Sequence, residues 1–290
     1  MAGPRGFIPQ ISGSADQQFY QIPSNINTLL DQFNAFLKGQ LSLCKSTADT
    51  NYYLVGKFLR EVNNPITKEA VADYLLKIQN TSTRSNYLKA LKHYFRDFLG
   101  NNIVSSFKLP LPNENPTPCP TDGAVRQVYN NLEYDRDKLI YSLAATTGLR
   151  RGEILNLKRK HIDPENTAIT PYKHTRTKRT GITFYNDEVE PILRKFIDQL
   201  TEPETNLFHN GEGAFRKQIK NAWEKAGVKV TLKMLRVWFC NKMGELGVQD
   251  RYIDIFCGRA PKSVLAKHYT SKEIHKLKEI YGKANLKMLT

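Results

Sequence analysis

No run of apolar residues in this 290-residue chain approaches the ~18 that a helix needs to cross a bilayer, which excludes a helical membrane span. The stretch Met1–Tyr20 lacks the apolar segment of a secretory signal, and its Gly, Pro, Ser and Gln read as a flexible arm. Cysteine is scarce. Cys44, Cys119, Cys240 and Cys257 show no C-x-x-C spacing, which argues against a zinc site or a disulfide framework and for reduced thiols in a cytoplasmic protein. Acidic charge is also short, with 28 Asp and Glu against 43 Lys and Arg, a net charge of +15 and a pI near 9.6. Such an excess points to a polyanionic partner, most simply nucleic acid. An anionic membrane surface would call for a basic amphipathic anchor, and a basic surface can also serve solubility alone.

What is present is a globular composition, 40% hydrophobic and 24% charged, sufficient to bury a core. Helical spacing of apolar residues runs through the first hundred positions. Ile26–Leu41 forms one stripe, and a second opens at Ser46–Asp49 and ends near Val62. Thr67 fits an N-cap with Glu69 in the first turn. Ser82 or Thr83 fits the cap of a fourth helix, which Gly100 stops. Five prolines between Pro110 and Pro120 cannot continue a helix or a central strand and mark a semi-rigid connector. The expected organisation is therefore an arm over 1–20, a helical domain over 21–108, a proline-rich linker over 109–121 and a second domain over 122–290. In that last part, Asp122–Asn131, Asp135–Thr146, Gly152–Leu157, Glu188–Leu200, Gly213–Ala226, Lys233–Leu246, Asp250–Phe256 and Lys272–Leu289 read as helices. Ile162–Thr170 and Thr180–Phe184 read as short strands joined by a basic turn. Basic residues exceed acidic ones on both sides of the linker, 12 against 7 before Leu109 and 31 against 21 after it. Two basic domains on such a connector suggest closure around a duplex.

Three segments carry chemistry. In Thr147-Gly148-Leu149-Arg150-Arg151-Gly152-Glu153, Gly148 suits a tight turn that brings out the next side chains. Glu153, three residues beyond Arg150, can hold the guanidinium plane so that it grips a phosphate through two donors. An ordinary surface Arg–Glu pair is the plainer reading. In Lys233-Met234-Leu235-Arg236 the two cations share a helix face and can address one anion. Near the end stands Lys267-His268-Tyr269. A phenol is mostly protonated at neutral pH, but clustered cations favour its ionised, nucleophilic form. Any one of 14 tyrosines is more often a packing residue, so Tyr269 depends on its context.

Ala145–Leu157 resembles the first conserved box of the tyrosine recombinases and integrases, T-G-L-R-x-x-E-[IL]-x-x-L, and this alignment selects Arg150 rather than Arg151. Lys233–Arg236 resembles the second box, H-x-[LM]-R, with Lys233 in place of histidine. Cys257-Gly258-Arg259 resembles the third, with Arg259 in place of histidine or tryptophan and ten residues, rather than nine, before Tyr269. These departures are similar to those of archaeal spindle-shaped-virus integrases, a divergent branch. The family also has a lysine on a β-hairpin, and in His174–Ile182 Lys178 matches best, with Lys173, Arg176 and Arg179 nearby.

The resemblance implies a mostly α fold: a helical core-binding domain and an α-rich catalytic domain with a small antiparallel sheet, together a C-shaped clamp. It implies a site-specific DNA recombinase, an integrase of a mobile element, that needs no metal or nucleotide cofactor and acts as a homotetramer on double-stranded DNA. The site it implies has Tyr269 as nucleophile, Arg150 and Arg236 as the phosphate clamp with Glu153 in support, Lys178 as general acid, and Lys233 and Arg259 completing the pocket. Lys233 suits an electrostatic role, since an unperturbed lysine stays charged where histidine would shuttle a proton. A type IB topoisomerase and a non-catalytic DNA-binding protein are the alternatives. The last helix can pack on its own domain or on a neighbouring subunit.

Overall fold

A computed structural model describes residues 19–111, 116–171, 181–208, 212–259 and 273–289. The chain divides into two compact units, Met1–Asn115 and Pro116–Thr290. None of the described helices is long and apolar enough to cross a membrane.

The first unit is built by four helices, α1 (Ile26–Gly39), α2 (Lys45–Glu61), α3 (Lys68–Leu76) and α4 (Thr81–Lys92), the last running on as a π-turn over His93–Phe98. Their apolar stripes close on an aromatic centre. Phe33 and Tyr94 meet edge to face at 5.2 Å, and Phe58 and Tyr74 at 4.9 Å, the arrangement that ring quadrupoles favour. Thr67 caps α3 as the sequence indicates, accepting from the Ala70 amide at 3.2 Å. The cap of α4 is Asn80, not Ser82 or Thr83. Its side chain accepts from the Thr83 amide at 2.9 Å and from the Thr83 hydroxyl at 3.1 Å, so Thr83 is capped rather than capping. Phe19 and Tyr20, read from sequence as the end of the arm, form β1 and pair antiparallel with β2 (Ile66–Thr67).

The second unit is organised around α6 (Asp135–Thr147), buried from Leu139 to Thr147 on every side. Such a helix must satisfy its own polar groups. Ser142 and Thr146 do so by donating to carbonyls one turn back, both at 2.8 Å. Around it pack α5 (Asp122–Asn130), α7 (Arg151–Leu155), α8 (Glu190–Ile197), α9 (Glu212–Ala226), α10 (Leu232–Glu245) and α11 (Asp250–Phe256). The indole of Trp238 in α10 donates to the Asp122 carboxylate at 2.8 Å, which ties α10 to the start of α5.

A three-stranded antiparallel sheet, β3 (Ile162–Asp163), β4 (Ala168–Ile169) and β5 (Thr183–Phe184), lies on this core with Ile162 opposite Ile169 and Ala168 opposite Phe184. The expected single strand over Ile162–Thr170 is thus a hairpin. Asp163 breaks it, its carboxylate accepting from the amides of Glu165 and Asn166, both at 3.1 Å, before Thr167 turns at φ 51°. The last helix, α12 (Ile274–Ala284), ends earlier than the apolar spacing suggests. Asn285 adopts φ 46° and stops it.

The residues after α12 fold back onto their own unit. Leu286 and Met288 are buried, Asn186 donates to the Leu286 carbonyl at 2.8 Å, and the two oxygens of Glu188 accept from the Met288 and Leu289 amides at 2.7 and 2.9 Å. Replacing Glu188 by alanine strands both amides, at a cost of about 2 kcal/mol by the usual worth of hydrogen bonds to charged groups. A fall of about 4–8 °C in melting temperature is expected, with Met288 and Leu289 losing amide-exchange protection. Unchanged protection at those two amides would show that the clasp does not hold the tail.

Candidate active site

The site begins where α6 stops. Gly148 takes φ +67°, a left-handed conformation that ends the helix. Leu149 then turns inward, 3% exposed, so the turn does not bring out every following side chain as the sequence suggested. Arg150 is the first to emerge and is the N-cap of α7. Glu153 binds it twice: one carboxylate oxygen accepts from the Arg150 amide at 2.7 Å and the other from its guanidinium at 2.8 Å. The carboxylate therefore fixes both the backbone entry to α7 and the plane of the guanidinium, with most of Arg150 kept out of solvent.

Arg236 approaches from α10. Thr231 caps that helix by accepting from the Met234 amide at 3.2 Å, and Leu235, Trp238 and Phe239 anchor its inner face in the core. Arg236 donates to the Gly148 carbonyl and, at 2.7 Å, to the Cys257 carbonyl at the end of α11. Arg150 reaches the same corner, its guanidinium lying 3.4 Å from the carbonyls of Cys257 and Gly258. Burial lowers the Arg236 pKa from its ordinary value, and the nearby positive charges of Arg150 and Arg259 act in the same direction. Two guanidiniums are thus held close together by neutral backbone acceptors, an arrangement that an incoming anion relieves.

Arg259 completes the cluster, bonded to Asp254 at 3.2 Å and to the Cys240 sulfur at 3.2 Å. Lys233 sits in the first turn of α10, where the helix end itself attracts anions. It lines a cavity of about 540 Å³ together with Arg150, Arg236, Trp223, Phe215 and Leu232. The structure therefore brings Arg150, Glu153, Arg236 and Arg259 to one corner, with Lys233 beside it on the cavity wall. Lys178 and Tyr269 lie outside the described residues.

Sequence reasoning missed what holds the arginines. The acceptors are carbonyls of Gly148, Cys257 and Gly258, to which side-chain identity gives no clue. It also missed Gly181, where a Cβ would stand 1.8 Å from the Ile255 carbonyl oxygen and 2.9 Å from the Gly258 nitrogen. Only glycine lets the strand leading into β5 lie against the end of α11. Cys240 was findable: it stands four residues after Arg236 on α10, hence on the same helix face.

The family model described as archaeal phage integrase matches residues 117–285. The tyrosine recombinase XerA of Pyrococcus furiosus is 29% identical over 277 residues, covering 89% of this chain and 94% of that one. XerA of Saccharolobus solfataricus is 31% identical over 124 residues, 43% of this chain and 42% of that one. Among solved structures, a lambda integrase tetramer bound to a Holliday junction matches with a TM-score of 0.65 at 16% identity, covering 85% of this chain and 80% of that one, which is a likeness of fold.

The corner tolerates no side chain at Gly148. A Cβ there would lie 2.6 Å from two Phe239 ring carbons and 2.9 Å from the Cys257 sulfur. Gly148→Ala adds that overpacking, about 1–3 kcal/mol, to about 1 kcal/mol for a left-handed alanine. Thermal denaturation should show a loss of about 2–4 kcal/mol in the second unit. A change below ~1 kcal/mol would mean that the α6 turn can relax without the contacts drawn here.

Proposed function

The chain belongs to the archaeal phage integrase family and is a tyrosine site-specific recombinase, and we propose that its Arg150–Arg236 corner is where a DNA phosphodiester is cleaved and rejoined. The observation that carries this assignment is the convergence of the two guanidiniums on the Cys257 carbonyl, from positions 86 residues apart, with Glu153 fixing one of them. Tyr269 attacks the scissile phosphorus, forming a 3′-phosphotyrosine link and releasing a 5′-hydroxyl. Arg150 and Arg236 bind the non-bridging oxygens and stabilise the charge that grows on them in the transition state. Lys178 gives the departing 5′-oxygen its proton. Lys233 and Arg259 add positive potential without exchanging protons.

The neighbours of the two undescribed segments support these roles. Gly181, three positions after Lys178 in the sequence, packs against the end of α11. Tyr269 lies between Arg259 and α12, and α12 is pinned beside Thr147 by the Tyr281 hydroxyl, which donates to the Thr146 carbonyl at 2.7 Å. Both flanks of the nucleophile's segment are thus attached to this site. Attack by the 5′-hydroxyl of a partner strand reverses the chemistry, so bond energy is kept in the protein–DNA link. Two such rounds exchange strands between two duplexes. The working form is a homotetramer on a double-stranded attachment site, acting in the host cytoplasm, and the chemistry takes no metal or nucleotide.

A DNA substrate nicked so that the cleaved fragment diffuses away traps the intermediate. The unaltered chain should form a covalent adduct that vanishes in Tyr269→Phe. Arg150→Ala and Arg236→Ala should slow its formation about 10²–10³-fold, the range for lost transition-state donors, with DNA binding retained. Lys178→Ala should lose about 10²–10⁴-fold and recover on a substrate whose leaving atom is a 5′-sulfur, which departs as thiolate and needs no proton. An adduct that persists in Tyr269→Phe would sink the nucleophile assignment, and a Lys178→Ala defect that the 5′-sulfur leaves uncorrected would sink the general acid.

A further inference from the structure

We propose that Cys240 and Cys257 are a redox-modifiable pair whose reversible disulfide disables the guanidinium corner. The first part stands on geometry alone, and the effect on cleavage rests on the recombinase reading. The two sulfurs face each other across α10 and the end of α11 at 3.5 Å, both as free thiols. Cys240 is half-buried and Cys257 fully buried, whereas Cys44 and Cys119 are exposed. The pair is wired to all three arginines of the corner. The Arg259 guanidinium donates to the Cys240 sulfur at 3.2 Å, and the Cys257 carbonyl accepts from Arg236 at 2.7 Å and from Arg150 at 3.4 Å.

The electrostatics suit the chemistry. The hydrogen bond with Cys257 is the main influence lowering the Cys240 thiol; burial opposes it, and Arg259 and Arg236 add to it. The same contact, followed by burial, pushes the Cys257 thiol up. The shifts run in opposite directions, so Cys240 is the more readily ionised of the two and the one that meets an oxidant first. With a peroxide as oxidant, the Cys240 thiolate attacks one oxygen and the O–O bond breaks. Cys240 becomes a sulfenic acid, and the second oxygen leaves as hydroxide, taking up a proton to become water. Cys257 then attacks the sulfenic sulfur, the S–O bond breaks, and the Cys257 proton leaves with the hydroxyl as a second water. Two thiols lose two electrons in all, and the peroxide gains them.

Bonding sulfurs stand ~2.05 Å apart, so the pair must close by roughly 1.5 Å from its present separation. Cys257 carries the carbonyl shared by Arg150 and Arg236, so a bond that draws Cys257 toward α10 displaces that acceptor. The bond also converts the sulfur to which Arg259 donates from a free thiol into half of a disulfide. Displacements of about 1 Å near reacting groups can cost 10²-fold in rate.

The test uses the full chain carrying Cys44→Ser and Cys119→Ser, exposed positions away from the site, treated with hydrogen peroxide at neutral pH. Peptide mass mapping should find Cys240 linked to Cys257 with the loss of two hydrogens. Adduct formation on the trapping substrate should fall at least tenfold and return with dithiothreitol. Oxidation of Cys240 to sulfinic acid without a link to Cys257 would overturn the pair, and a linked chain that cleaves as fast as the reduced one would overturn its coupling to the site. A chain that forms the link but makes no adduct even when reduced supports the pair and counts against the cleavage chemistry instead.

Discussion

Two guanidiniums can be held side by side only if something accepts their hydrogen bonds without cancelling their charge. Here the acceptors are the last carbonyls of two helices. Gly148 ends α6 and Cys257 ends α11, and Arg236 bonds to both. Helix C-termini leave such carbonyls without partners inside the helix and carry partial negative charge. They steady a cation but neutralise far less of it than a carboxylate would. Of the two arginines, Arg150 is given a full counter-charge, Glu153, and that residue also caps α7. The rest of the second unit can be understood as what brings these two helix ends together.

That convergence is set by tight packing together with hydrogen bonds to the last turn of α6 from Thr183 and Tyr281. The left-handed turn at Gly148 lies against the Phe239 ring and the Cys257 sulfur, and Gly181 lies against the backbone at the end of α11. At both places the room for a side chain has been given to a neighbouring element. Phe184 of β5 meets Phe256 of α11 and Tyr281 of α12, with ring centres 6.1 and 5.7 Å apart, so sheet, α11 and α12 share one aromatic joint. Through Tyr281 the same joint reaches Thr146, two residues before the turn. A disturbance in the sheet or in α12 is therefore transmitted to the arginine corner through close contacts.

The sequence discloses the cations more readily than their support. Arg150 is recognisable because its fixing partner lies three residues on, within one helical turn, and Arg236 because its box opens a helix. Local spacing conveys such relations. The carbonyls that orient both arginines belong to residues whose side chains say nothing of the role. Cys240 and Cys257 stand 17 positions apart and meet only through the turn between α10 and α11, so scattered spacing concealed a contact. The strand expected over Ile162–Thr170 failed for a local reason, since β-branched residues outweighed Asp163, whose carboxylate builds the turn. The reach of α12 was overestimated because Leu286 and Met288 keep an apolar rhythm after Asn285 has ended the helix: they are buried by the returning tail instead.

The charge inventory of the corner argues for what it is shaped to bind. Arg150, Arg236, Arg259 and Lys233 bring four positive charges, while Glu153 and Asp254 bring two negative ones, leaving an excess of +2 among these residues when Cys240 is protonated. A phosphodiester carries one negative charge, and attack by an ionised phenol raises it to two at the phosphorane-like transition state. An excess of positive charge at the corner favours an anion whose charge grows during reaction, which is the condition for accelerating chemistry rather than merely tightening binding. Lys233, on the cavity wall, contributes to this excess. Among the described residues of this corner the Cys240 thiol is held below its ordinary range, chiefly by its hydrogen bond with Cys257. Its ionisation removes one unit of the excess, so the sulfur that holds Arg259 also sets how much of the positive potential is left for the phosphate.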